Sequence, residues 1–345
     1  MHKHIMNRMR ALLTAGKLRW RRRKFLFRAY RKRRQLKVLV DRTGQIRPKN
    51  ILALSTVRDE IVRLPYFLEY YRKLGVQHFL FVDNNSSDGT TEYLKAQPDV
   101  SLWSTDHSYK LARFGVDWLT WLQIKYGHDH WCLTVDADEI LVYPHCDTRP
   151  LSQLTKWLDE TNRRSFGATM IDMYPKGKLN ANIYKAGDDP FAILAWFDAF
   201  NYVVQRKSDL QCLWLQGGVR FRHFFKDSPE RAPTLNKIPL VKWSRRYAYV
   251  NSTHSILPRR LNHVYDEDGV EKVTGVLLHT KFLHIVAEKS REERRRREHF
   301  ANSDLYDAYY ESLSENPNFW DRDSYAYRDW HQLVELRLMS QGDWR

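Results

Sequence analysis

The stretch HWCLTVDADEIL, residues 130–141, decides the fold. It reads as one strand: a short apolar run with acids at its carboxyl end. A carboxylate is costly inside a core unless it is paired. Asp136 and Asp138 therefore mark the point where the strand emerges and turns. Two carboxylates separated by one residue at such a point can both reach a divalent cation. Mg²⁺ or Mn²⁺ suits oxygen ligands and also holds substrate phosphates.

Working outward, the same pattern repeats. ILALSTV (51–57) is a buried strand, followed by LPYFLEYYRKLG (64–75). Pro65 suits a first helical position and Gly75 a C-terminal cap. HFLFVDNNS (78–86) is the next strand, SSDGTTEYLKAQ (86–97) a short capped helix, and VSLW (100–103) a third strand. Leu111, Gly115, Trp118, Leu119, Leu122 and Tyr126 then share a helical face. Strand–helix alternation of this kind predicts an α/β fold, a mostly parallel sheet with helices on both faces. Ligands bind outside the carboxyl ends of such strands. Acids sit at four consecutive ends: Asp59 and Glu60, Asp83, Asp106, and the pair Asp136 and Asp138. Farther on, FGATMIDMYP (166–175) and GVLLHTKFLH (275–284) read as strands, and EKSREERRRREHF (288–300) as a charged, exposed helix.

The chain has 345 residues and a formal charge of +16. Residues 1–40 hold 15 Lys or Arg and no acid, which leaves 42 basic against 41 acidic residues in the rest. The body is thus nearly neutral and carries a basic N-terminal arm, residues 1–45. A nucleic-acid-binding domain would spread its charge over a folded face, so no nucleic-acid partner is expected. Trp20, Phe25, Leu26, Phe27 and Tyr30 interleave with Arg and Lys in the arm. The arm reads either as a helix lying on an anionic membrane surface or as a solvated basic helix or flexible tail. No run of 18 apolar residues suggests a membrane span, and no secretory signal is expected. Three cysteines without CxxC spacing argue for a reducing compartment. The expected location is cytoplasmic, peripheral at the inner face of the plasma membrane. The body spans residues 46–285, read in two halves, 46–145 and 146–285, and 286–345 read as a C-terminal helical extension.

TVRDE (56–60), FVDNNSSDGTTEYL (81–94) and WCLTVDADEIL (131–141), in this order and spacing, resemble the nucleotide-sugar-dependent glycosyltransferases of family 2, which have the GT-A fold. The likeness is closest to a bacterial subgroup with a DADE metal motif. It implies a metal-dependent, inverting transfer of a sugar from a nucleotide-sugar donor, a UDP-sugar by analogy. The acceptor would be a glycan or lipid-linked molecule of cell-surface polysaccharide biosynthesis. It also implies roles. Glu60 and Asp83 match nucleoside contacts, and Arg58 faces the same rim. Asp136 and Asp138 match the metal pair, and Arg113 falls where a basic residue lies near the donor. A further metal ligand is expected from a C-terminal histidine. His279 is the candidate, with His254, His263 and His284 as competitors. Asp172, on the strand after the metal motif, is the candidate general base. Glu139 reads as a structural acid. Arg220, Lys237 and Lys242 are candidates to touch an anionic group, with surface charge as the default.

Two rival functions remain. A sugar-1-phosphate nucleotidyltransferase would want a Gly-rich, basic phosphate loop after the first strand, and LSTVRDE has no Gly. A non-catalytic surface-binding module would have no need of the acids at the rim.

Overall fold

The computed structural model describes residues 2–265, 271–296 and 307–344. Nine strands form one sheet: β1 (Lys37–Val40), β2 (Ile51–Val57), β3 (His78–Asp83), β4 (Val100–Ser104), β5 (Trp131–Thr134), β6 (Glu139–Val142), β7 (Ser165–Asp172), β8 (Asn236–Lys242) and β9 (Gly275–His279). Their order is β1-β4-β3-β2-β5-β8-β7-β9-β6. Six of the nine (β2, β3, β4, β5, β7 and β9) run in one direction, and β1, β6 and β8 run against them. The α/β, Rossmann-like arrangement expected from the alternation is present. Strand order reverses between β2 and β5, where such sheets open a crevice for ligands.

Period-2 alternation explains how β2 serves both faces. Ile51 and Ala53 pack in one core with Phe67, Leu68 and Tyr71 of helix α2 (Leu64–Leu74). Leu52 and Leu54 pack in another with Trp118, Leu119 and Leu122 of the helix Val116–Tyr126. Helix α2 has Pro65 in its first turn and ends on Gly75 at φ +99°, the left-handed cap that favours glycine.

The stretch 130–141 is two strands, not one. β5 ends at Thr134, Asp136-Ala137-Asp138 forms the turn, and β6 begins at Glu139. The Glu139 amide donates to the Asp136 carbonyl at 3.0 Å and closes it. Two carboxylates separated by a single residue do not fit a buried ladder, so the chain leaves the sheet to present them.

The first 45 residues do not stand apart. Residues 2–32 form a long helix, α1 (His2–Lys32), and residues 37–40 are the edge strand β1, paired antiparallel with β4. Ala29 is fully buried, and Arg28 donates to Asp117 at 2.9 Å. The tail is not an appendage either. Trp330, Leu333, Met339 and Trp344 join the main core, and the Thr274 amide donates to the Ser340 carbonyl at 2.9 Å. Among the described residues no helix is long and apolar enough to cross a membrane. Cys132 and Cys146 are free thiols.

Candidate functional site

The register of three adjacent strands builds the centre of the site. His279 on β9 lies opposite Asp172 on the parallel strand β7 and opposite Glu139 on the antiparallel strand β6. His279 Nδ1 meets Asp172 Oδ1 at 2.6 Å, and its Nε2 meets Asp138 Oδ2 at 3.1 Å. Arg220 Nε donates to the other Asp172 oxygen at 2.7 Å. Asp172 thus has both oxygens occupied and is 4% exposed. It sits behind His279 and is not on the wall of the cleft.

That cleft, about 860 Å³, opens over the carboxyl ends of the strands. Asp136, Asp138, Glu139 and His279 line it together with Arg58, Glu60 and Arg113. Of the competing histidines, His254 also lines the cleft, but its Nδ1 is tied to the Asn236 carbonyl at 2.6 Å. His263 pairs with Gln211, and His284 accepts from the Tyr184 amide. His279 is the histidine at Asp138.

The charges divide into matched sets. Burial would raise the Asp138 carboxyl, but His279, Arg63 and Lys281 hold it well below the usual carboxylate range. Burial acts likewise on Asp172, and Arg220 with the His279 hydrogen bond brings it to about 2. His279 is raised: burial favours the neutral ring, and Asp138 and Asp172 outweigh it. Asp136 is pushed up to about 7 by desolvation and then by Glu139, with Lys237 opposing. Lys237 Nζ meets Glu139 at 2.9 Å and Asp136 at 3.8 Å. Lys281 also lines the cleft. Among the described residues its ammonium makes no ion pair with a carboxylate, and burial followed by Arg220 brings it down to about 8.

The nucleoside-side candidates are placed differently from one another. Glu60 takes Arg63 at 2.8 Å and the Lys289 ammonium. Arg58 donates to the Asn84 carbonyl at 2.8 Å and to Glu292 at 3.2 Å. Asp83 is 2% exposed, and its carboxylate accepts from Ser86 and Thr91 at 2.5 Å each. It holds the turn after β3, and its neighbour Asn84 is the one on the cleft wall. Asp106 is exposed beyond the cleft. Arg113 bonds Asp117 at 3.1 Å and the Tyr249 and Val250 carbonyls at 2.6 and 2.7 Å. Arg113, Phe114 and Gly115 all have positive φ (56°, 58° and 73°). A Cβ on Gly115 would lie 2.5 Å from the Thr56 hydroxyl, so this tight approach admits only glycine.

Two cleft residues carry no signal in the sequence pattern. Arg63 sits one residue before a helix and reads as a helix-flanking charge. Lys289 falls in the segment read as an exposed charged helix. That helix (Val286–Arg296) instead brings Val286, Lys289, Ser290 and Glu292 to the cleft. Lys242, by contrast, pairs with Asp159 at 3.0 Å, away from the cleft.

Among the described residues no three His, Cys, Asp or Glu side chains already converge as a metal cage. The donor set nonetheless fits a hard divalent cation. Two carboxylates and an imidazole face one space, and Asp172 fixes the far nitrogen of the imidazole, as metal-ligating histidines require.

No family model matches the chain, and no curated protein does. Solved structures with distant overlap include a mannosyltransferase from Pyrobaculum calidifontis in complex with GDP-mannose and Mn²⁺, at 16% identity and TM-score 0.26 over 48% of this chain and 44% of that one. A protein assigned as a glucose-1-phosphate thymidylyltransferase from Bacillus anthracis, in complex with sucrose, overlaps at 8% identity and TM-score 0.30, over 76% and 83% of the two chains. A 4-diphosphocytidyl-2C-methyl-D-erythritol synthase overlaps at 15% identity and TM-score 0.24, over 42% and 70%. The chain thus spans under half the length of the mannosyltransferase. None of these overlaps bears on which reaction the cleft performs.

Proposed function

We propose that the chain is a metal-dependent, inverting glycosyltransferase. It would move a sugar from a nucleotide-sugar donor, a UDP-sugar by the family resemblance, to a glycan or lipid-linked acceptor of cell-surface polysaccharide. The observation that carries this reading is the row Asp172–His279–Asp138 at the carboxyl end of the sheet, with Asp136 one residue away.

Asp136, Asp138 and His279 would hold Mn²⁺ or Mg²⁺, which when bound neutralises charge developing on a leaving diphosphate. The chain's own residues do the positioning. Asp172 takes the Nδ1 proton of His279 into a hydrogen bond and so keeps Nε2 available on the cleft side. Arg220 balances Asp172, so the pair stays charged while buried. Lys281 offers its ammonium to a phosphate oxygen. Arg58, Glu60 and Asn84 present polar groups where the nucleoside would lie, and Asp83 holds the turn that carries Asn84. Arg113 stiffens the opposite wall through the Tyr249 and Val250 carbonyls. With both oxygens engaged, Asp172 orients His279, and this geometry does not suit the role of general base expected from its position in the sequence.

The test is calorimetry with UDP and Mn²⁺ on the wild type and on Asp138→Ala, followed by a donor screen. Metal-dependent UDP binding, lost in the variant, and release of nucleoside diphosphate from a nucleotide sugar support the reading. Pyrophosphate release from a nucleoside triphosphate and a sugar 1-phosphate would overturn it in favour of nucleotidyl transfer.

A further inference from the structure

Helix α1 has two apolar stripes, and only one is used by the fold. Leu18 and Phe25, seven residues apart, face inward against Leu210, Cys212, Val250 and Leu257. Phe25 also lies under the Arg113 guanidinium, 3.8 Å from it. Leu13, Trp20 and Phe27, again seven apart, are 62%, 66% and 60% exposed. At 100° per residue this second row lies about half a turn from the first. Lys17, Arg23, Lys24 and Arg31 flank it and are exposed. No acid occurs anywhere in residues 1–40.

A solvated helix has no use for an exposed Trp and Phe in register on the face opposite its seat. A duplex nucleic acid would be met by the cations and would leave the apolar row unsatisfied. Apolar side chains including Trp and Phe, bordered by Lys and Arg, match the chemistry of an interfacial helix on an anionic bilayer. We propose that the outward face of α1 is a membrane-docking surface for anionic phospholipid, with Leu13, Trp20 and Phe27 entering the headgroup boundary. The proposal stands independently of the transferase reading, since it needs neither donor nor metal.

The docked helix would also fix where the cleft lies. Asp117, fully buried, holds Arg28 of α1 at 2.9 Å and the cleft residue Arg113 at 3.1 Å. The cleft wall at Arg113 is therefore about one helix diameter, some 10 Å, from the outward face. That places the cleft wall close to the bilayer surface.

The experiment is co-sedimentation of the full chain with phosphatidylcholine vesicles containing about 30% phosphatidylglycerol, beside pure phosphatidylcholine vesicles and a duplex DNA. The expected result is binding to anionic vesicles that weakens in high salt, with much weaker binding to neutral ones. Trp20→Glu/Phe27→Glu should lower it on the order of tenfold with the unfolding midpoint unchanged. If that double variant does not fold, Leu13→Glu, on the same row, gives the same readout. Vesicle binding unchanged in a folded variant would overturn the proposal. So would DNA binding tighter than vesicle binding, or concentration-dependent self-association that the variant abolishes.

Discussion

His279 and Asp172 are register partners on adjacent parallel strands, and their side chains meet at 2.6 Å. The backbone pairing thus supplies the side-chain pairing. Asp172→Asn keeps the shape but removes the charge that orients the imidazole. It is expected to weaken Mn²⁺ binding by about 10–100-fold, read by calorimetry, while the fold persists. Unaltered affinity would show that Asp172 does not act through His279.

The pH dependence of stability should reverse when metal is added. In the metal-free chain the raised His279 contributes stability that is fully present below its unfolded pKa of about 6.5 and is lost as pH rises through its folded value. The melting temperature should therefore fall from pH 5 to 7.5. Mn²⁺ must displace the His279 proton, so its stabilising effect should grow over the same range and release protons to the buffer. Melting curves with and without Mn²⁺, and calorimetry in two buffers of different ionisation enthalpy, check both signs.

Lys237 and Glu139 are 4% and 1% exposed and paired at 2.9 Å. Lys237→Met leaves a buried carboxylate unpaired and should cost about 3–5 kcal/mol in denaturant unfolding. Lys237→Met/Glu139→Leu should recover most of that loss. A single variant as stable as the wild type would contradict the pairing.

Lys281→Met should weaken UDP binding in the presence of Mn²⁺ by about 10-fold or more, the size of a lost charged hydrogen bond. Stability should change little, since no carboxylate is left unpaired. If UDP affinity is unaffected, the ammonium does not meet the phosphates.

Removal of residues 1–40 should destabilise the body. It deletes β1, the Arg28–Asp117 bond and the Phe25 contact with Arg113. Trp20→Glu should not. Thermal melts of the two proteins separate the packing role of the segment from its outward face.

Much of this was legible in the sequence because it rests on local pattern. The apolar runs of 51–57 and 78–83 and the Pro65 and Gly75 punctuation survive in the structure, and of the acids at strand ends Glu60, Asp136 and Asp138 line the cleft while Asp106 lies beyond it. His279 was legible as a polar residue in an apolar strand. What was hidden depends on contacts between distant segments. The apolar residues of α1 interleave with Arg and Lys in the sequence because two faces are superimposed in one line. Lys289 looked solvated because its partner, Glu60, is more than two hundred positions away. Asp83 and Asp172 read as functional acids by position alone, and only their hydrogen-bond partners show that each works from behind the wall.

The edge strand has a consequence for how the molecule opens. Lys37 is paired with Ser104, Ser104 with Asp83, and Asp83 with Val57, one unbroken row across β1, β4, β3 and β2. It begins just beyond helix α1 and ends at the rim of the cleft. Amides along such a row are released to solvent exchange as a cooperative unit. Opening of the β3 amides should therefore follow fraying of the N-terminal edge, and their protection should rise whenever α1 is held on a surface.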